Sequence, residues 1–216
     1  MNIDSSEIIA IFSQLNLCSE QYLLIRNINN ELPNNLTIGK DIDILINKKN
    51  KFLFSNFLHE RGFKSVKHPL FNDIFLYGVD KFEFKINSKN NIILDLNFQL
   101  VCRSFNAGEW IPLDQTIQES AWENRIFIEH ESGLSYWTLG HEDEFVSLLV
   151  RSVFDKKYFL EGYVTRIEEL LGLIDIAIVQ SKLDLVFFKF TSVLLNLIEK
   201  KDYSNIIGEY VKFKDY

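Results

Sequence analysis

Two aspartates stand two residues apart in Asp41-Ile42-Asp43-Ile44-Leu45-Ile46. A third, Asp95, lies within Ile92-Ile93-Leu94-Asp95-Leu96-Asn97-Phe98-Gln99-Leu100. On a strand, residues i and i+2 leave the same face, so Asp41 and Asp43 point one way and Ile42, Ile44 and Ile46 the other. Carboxylates so close repel one another unless a cation lies between them. Asp95 shares a polar face with Ile93, Asn97 and Gln99, opposite Ile92, Leu94, Leu96, Phe98 and Leu100, and aspartate is depleted in the middle of strands. If the two strands are neighbours, the three carboxylates converge. Three hard oxygen ligands on a rigid sheet suit Mg²⁺ (or Mn²⁺) and leave positions open for phosphates and water. A nucleoside triphosphate would complete the coordination of one ion. A second ion on the same carboxylates would activate an acceptor hydroxyl and stabilise the attacking and leaving oxygens. Asp95 is placed to take the hydroxyl proton. An Asp-x-Asp pair alone arises as readily on a solvated strand edge.

The elements that must position these residues follow from periodicity. A helix begins at Asp4 or Ser5, with Ile8, Phe12 and Leu15 at helical spacing. Residues 22–26 form a short apolar strand, and the stretch to Lys40, with Pro33 and Gly39, reads as a loop. After the 41–46 strand, residues 48–60 read as a helix with Gly62 as its C-terminal cap. Strand-like segments follow at about 63–68, 71–78, 81–87 and 92–100. In the third of these, Phe82, Phe84 and Ile86 alternate with Lys81, Glu83 and Lys85, which puts Glu83 and Lys85 on a polar face beside the cleft or on a solvated edge. A short helix over 113–123 and an extended piece over 125–130 complete the first part. From about Gly140 the period becomes 3.6. Ile167, Leu170, Leu171, Ile174 and Ile178 trace one stripe, and Leu183, Val186, Phe187, Phe190, Leu194, Leu197 and Ile198 a longer one. The expected architecture is α+β, a mixed sheet with flanking helices over 1–135, followed by a C-terminal helical bundle over 136–216.

Composition narrows the function classes. Hydrophobic residues at 47% and charged residues at 25% describe a folded chain, not a disordered one. The net charge of −7 argues against a general nucleic-acid binder, which needs a basic face for phosphate. Cys18 and Cys102 provide neither a disulfide framework nor a zinc site, and His59, His68, His130 and His141 lack ligand spacing. The N-terminus has no signal-peptide pattern and no apolar run is of spanning length, so a cytoplasmic protein without membrane association is expected. Glu142, Asp143 and Glu144 suit a helix start. Trp110, Trp122 and Trp137 read as core or seam residues. Lys40, just before the aspartate pair, is a candidate phosphate contact or charge balance, and equally an exposed loop lysine.

The run Leu24-Ile25-Arg26, then Leu32-Pro33, then Gly39-Lys40-Asp41-Ile42-Asp43-Ile44-Leu45-Ile46 resembles the opening of the nucleotidyltransferase superfamily, the polymerase-β-like fold. Leu94-Asp95-Leu96 is similar to its third acidic element, a single carboxylate between apolar residues. The resemblance spans most of residues 20–100 and extends more loosely to the helical tail. Within the superfamily it is closest in kind to small stand-alone bacterial proteins of surface-polysaccharide biosynthesis and small-molecule modification. It implies a nucleotidyltransferase that uses a divalent metal on Asp41, Asp43 and Asp95. The superfamily's Gly-Ser after the first strand is missing. Arg26-Asn27 occupy that place, and the Arg26 guanidinium is the candidate phosphate holder there, or else a structural partner of a carboxylate. The resemblance also implies basic groups from the helical part reaching across the cleft. In Arg151-Ser152-Val153-Phe154-Asp155-Lys156, Lys156 is the choice for that role, against a helix-end charge of no function.

The expected reaction is transfer of a nucleoside monophosphate from a nucleoside triphosphate to a small-molecule or sugar-type acceptor. Two alternatives stand beside it: a regulatory or binding protein that keeps the fold without turnover, and a protein-modifying nucleotidyltransferase of a toxin–antitoxin pair. The apolar faces of the C-terminal helices are either intrachain core or a homo-oligomer contact.

Overall fold

The computed structural model describes residues 1–18, 22–69, 75–76, 78–104 and 109–215. Asp4 caps the first helix, α1 (Ser5–Leu15), by accepting the Ser6 N–H at 2.8 Å, and Ile8, Ile11, Phe12 and Leu15 make its buried stripe. β1 (Tyr22–Leu24) and β2 (Asp41–Ile46) are antiparallel neighbours with Leu23 opposite Leu45. Between them the 27–40 loop carries one 3₁₀ turn and a cis Leu32–Pro33 bond. α2 (Lys51–Glu60) buries Phe54 and Leu58 and leaves Phe52 and Leu53 exposed. It ends at Gly62, whose φ of 83° is the left-handed conformation that a helix terminus favours in glycine.

The strands continue as β3 (Phe63–Val66), β4 (Phe75–Leu76), β5 (Glu83–Asn87), β6 (Ile92–Asn97), β7 (Val101–Arg103) and β8 (Glu109–Pro112). The 71–78 strand expected from sequence is described only at Phe75 and Leu76 and at Gly78, which lies beyond the strand; residues 71–74 and 77 lie outside the described residues. α3 (Gln115–Glu123), β9 (Ile126–Glu129) and β10 (Ser135–Thr138) follow. Among the described residues seven strands form one mixed sheet in the order β3-β5-β6-β2-β1-β10-β9, and β4-β8-β7 form a small second sheet. β10 brings the chain back to pair in parallel with β1.

The helices α4 (His141–Val150), α5 (Glu161–Leu170), α6 (Ile176–Phe187), α7 (Thr191–Glu199) and α8 (Tyr203–Lys212) complete the α+β architecture. One side of the main sheet buries Tyr22, Leu24, Ile42, Ile44 and Ile46 against α1 and α2. On the other side Leu23, Ile25 and Leu45 join Phe145, Leu149, Phe187, Leu194 and further residues of the C-terminal helices in one core. The long apolar stripe from Leu183 to Ile198 is not one helix. α6 ends at Phe187, Phe188 takes φ 51°, and a 3₁₀ turn leads into α7. Leu183, Phe187, Phe190, Leu194 and Ile198 are still all buried within the chain. No helix among the described residues is long and apolar enough to cross a membrane.

Candidate active site

β2 and β6 run parallel and adjacent, with Asp43 directly opposite Asp95 and Asp41 opposite Ile93. The period-2 rule sends Asp41, Asp43 and Asp95 to one face, the face on which Leu45 is packed against the C-terminal helices. The apolar packing therefore stops where the aspartates begin, and a cleft of about 890 Å³ opens there. One carboxylate oxygen from each of the three aspartates falls within a cluster 4.8 Å across. Asp95 Oδ1 is buried and accepts no hydrogen bond; the His68 Nε2 lies 3.5 Å away, beyond good hydrogen-bond reach. A buried carboxylate oxygen with no donor is costly unless a cation satisfies it. Three hard donors and one orphaned oxygen fit a divalent metal.

Arg26, just past β1, turns its guanidinium onto Asp43. Nε donates to Oδ2 at 2.9 Å and Nη2 donates to Oδ1, so both oxygens are engaged in a fork. This splits the two β2 carboxylates. Burial pushes Asp41 up, and the charges of Asp43 and Asp95 push the same way. Burial also pushes on Asp43, but the charge and hydrogen bonds of Arg26, helped by Arg151 and Lys156, hold it below the ordinary carboxylate range. Burial likewise works against the Arg26 charge, and Asp43 more than restores it.

The far wall of the cleft comes from the helical part. α4 runs on into a π-helical turn, Arg151–Lys156, which Lys157 closes in the left-handed conformation. Arg151 Nη1 lies 3.0 Å from Asp155 Oδ2, and Arg151 Nε donates to the Tyr163 hydroxyl at 2.9 Å. Lys156, Arg151 and Tyr163 all line the cleft. The near wall is aromatic. His68, Phe82, Phe84 and Trp110 line it, with Phe82 edge-on to Trp110 at 5.5 Å and His68 edge-on to Phe84 at 5.3 Å.

The residues singled out from sequence therefore have distinct places. Asp41, Asp43 and Asp95 meet. Arg26 lines the same cleft with its fork on Asp43. Lys40 lines it too, and its Nζ is held by both oxygens of Glu31 on the exposed rim. Lys156 stands on the opposite wall, 4.0 Å from Asp155. The faces of β5 are the reverse of the expectation. Phe84 pairs with Asp95, so the aromatics look into the cleft, whereas Glu83 and Lys85 pair with Leu96 and Leu94 on the α2 side. Lys85 is buried there, donating to Ser55 Oγ and Ser65 Oγ, and Glu83 bridges it to Lys51. The antiparallel register with β6 decides the face, and one strand's alternation cannot. Trp110 lies in the cleft wall as well as in its packing. Sequence reasoning did not single out His68, Arg103 or Tyr163, which also line the cleft; no local spacing marks them.

No family model matches the chain, and no curated protein matches it. Among solved structures, the solution structure of the antibiotic-resistance factor ANT(2'')-Ia is similar over 94% of this chain and 100% of that chain, with a TM-score of 0.48 and 9% sequence identity.

Proposed function

We propose that this protein is a metal-dependent nucleotidyltransferase that moves a nucleoside monophosphate from a nucleoside triphosphate onto the hydroxyl of a small-molecule or sugar-type acceptor. The observation that carries the reading is the register of two parallel strands, which sets Asp43 against Asp95 with Asp41 beside them at the floor of a cleft. The resemblance of residues 20–100 to the nucleotidyltransferase superfamily points the same way. Asp41, Asp43 and Asp95 together line the acidic pocket in which Mg²⁺ would sit. The ion would supply Lewis-acid charge neutralisation at the phosphates.

The chain's own groups divide the remaining work. Arg151 and Lys156 supply positive charge to the triphosphate from the wall facing the carboxylates, with Arg103 and Lys40 also in the cleft lining. Asp95 takes the proton of the acceptor hydroxyl, whose oxygen forms the new bond to the α-phosphorus as pyrophosphate departs with the electrons of the old one. The aromatic wall beside Asp95 gives a ring a surface to pack on and keeps water from the reacting oxygen. Calorimetric titration of the folded protein with each of the four triphosphates in Mg²⁺ tests the reading. Binding of at least one triphosphate, lost without the metal, is expected. No heat with any of the four overturns nucleotide use.

The Arg26–Asp43 pair favours one other reading, a protein that binds nucleotide as a signal without turning it over. In that case triphosphate binds and no acceptor in a panel of sugars and sugar phosphates releases pyrophosphate.

A further inference from the structure

Resting on the metal-binding reading above, the geometry points to a division among the three aspartates. We infer that Arg26 is a resident cation that takes the place of a second metal, so that the site accepts one divalent ion, liganded by Asp41 and Asp95, while Asp43 serves as the counter-ion of Arg26.

Arg26 reaches both oxygens of Asp43 with two donors, and the pair is largely buried, with side chains 15% and 21% exposed. A guanidinium stays protonated at any physiological pH and its planar fork matches a carboxylate edge, so this cation does not leave by titration. A metal approaching Asp43 would meet that fixed positive charge on the same two oxygens. Asp41 and Asp95 are different. Neither has a lysine or arginine partner among the described residues, and Asp95 Oδ1 accepts no hydrogen bond, with the His68 Nε2 3.5 Å away. The charge count agrees. The three carboxylates and the guanidinium in contact with them leave two negative charges, which one divalent ion neutralises, and with Arg151 and Lys156 adding positive charge across the cleft a second ion would leave an excess in a half-buried pocket. Arg26 in this role also differs from the phosphate holder that its place after β1 suggests, because its Nε–Nη2 edge is turned onto Asp43 and only the Nη1 side is left for another anion.

The test is Mn²⁺ binding to the full chain without nucleotide, read from the electron paramagnetic resonance signal of free Mn²⁺. The wild type should bind one ion. Asp41→Asn and Asp95→Asn should each weaken it at least about tenfold. The charge-balanced double variant Arg26→Gln/Asp43→Asn should bind one ion within about threefold of the wild-type affinity, because it removes a salt bridge and no ligand. Arg26→Gln alone should bind at least about tenfold more tightly, since it frees a carboxylate and removes the opposing charge. Two ions on the wild type, or loss of binding in a folded double variant, would assign Asp43 as a ligand and overturn the inference while leaving the metal site in place. No ion on the wild type removes the metal-binding reading itself. Should the double variant fail to fold, the wild-type count and the Arg26→Gln affinity decide alone.

Discussion

At the residue scale, the carboxylates were legible because their signal is local. Asp41 and Asp43 share a face by period 2, and Asp95 interrupts an apolar alternation, so each side chain's direction follows from its neighbours. Where the Arg26 fork points was not legible. Phosphate and carboxylate present it with the same geometry, and the choice is made by the closeness of the end of β1 to Asp43, across 17 residues. Asp95 gives the sharpest residue-level prediction. On the proposed mechanism Asp95→Asn keeps the shape and removes the proton acceptor together with a metal ligand, so triphosphate-dependent transfer should fall by about 10²- to 10⁴-fold or more in kcat. Thermal stability should hold or rise, because Oδ1 loses no hydrogen bond and a like charge beside Asp41 disappears. A calorimetric melt beside a pyrophosphate-release assay checks both. A folded variant with unchanged kcat would remove Asp95 from catalysis.

At the element scale, the strands and helices were readable and their pairings were not. β5 shows why. Its alternation identified two faces, but only the register with β6 could say which face looks into the cleft. The result is a bridge from buried Lys85 through half-buried Glu83 to Lys51 at the start of α2, and it has a pH signature. Burial pushes the Glu83 carboxyl up, and the hydrogen bonds and charges of Lys85 and Lys51 more than reverse this, so its folded value lies below the ordinary 4.5. The unfolded chain therefore binds the proton first. The contribution of Glu83 to stability is present in full above pH 4.5 and is lost as pH falls from there through its depressed folded value. Urea melts of Glu83→Gln and wild type should differ most at neutral pH and converge in acid. A gap that stays constant with pH would sink the account.

The join between β10 and α4 is also an element-scale device. Gly140 precedes α4, and a Cβ built there would lie 2.4 Å from the backbone oxygen of Asn124, at the end of α3. Its φ of −61° is open to any residue, so close approach and not backbone freedom requires glycine here. Gly140→Ala should cost roughly 1–3 kcal/mol by forcing α3 and α4 apart. Alanine at Gly208, where nothing lies within 4 Å, is the control and should not destabilise. Equal unfolding midpoints for the two variants would refute the contact.

At the scale of the whole molecule, the helical part packs on the sheet through apolar side chains and is tied to α3 by a buried ionic knot. Lys182 on α6 places Nζ 2.7 Å from Asp143 Oδ1 on α4 and 2.7 Å from Ser120 Oγ on α3, and Ser120 donates to Asp143 Oδ2 at 2.8 Å. The acidic run 142–144 forms the first turn of α4, as its pattern suggests. Asp143 nevertheless faces inward and is almost fully buried, because its partner lies 39 residues away and no local pattern announces it. The stripe from Leu183 to Ile198 hid its own break similarly: the 3₁₀ turn at Phe188 keeps the apolar side chains in phase. Satisfied on each side, the knot adds little net stability, since the cost of drying two charges roughly cancels their attraction. Broken on one side, it is expensive. Lys182→Met should destabilise by about 3–5 kcal/mol, because the almost fully buried Asp143 is left charged or protonated with Ser120 as its remaining side-chain donor among the described residues. The double variant Lys182→Met/Asp143→Leu should recover most of that loss, and urea midpoints at constant m-value measure both steps. If the double variant is as unstable as the single, the knot contributes true net stability and the helices depend on it. Because these helices also carry Arg151 and Lys156 to the cleft, such a result would make a charge pair far from the aspartates a determinant of how firmly the two walls are held together.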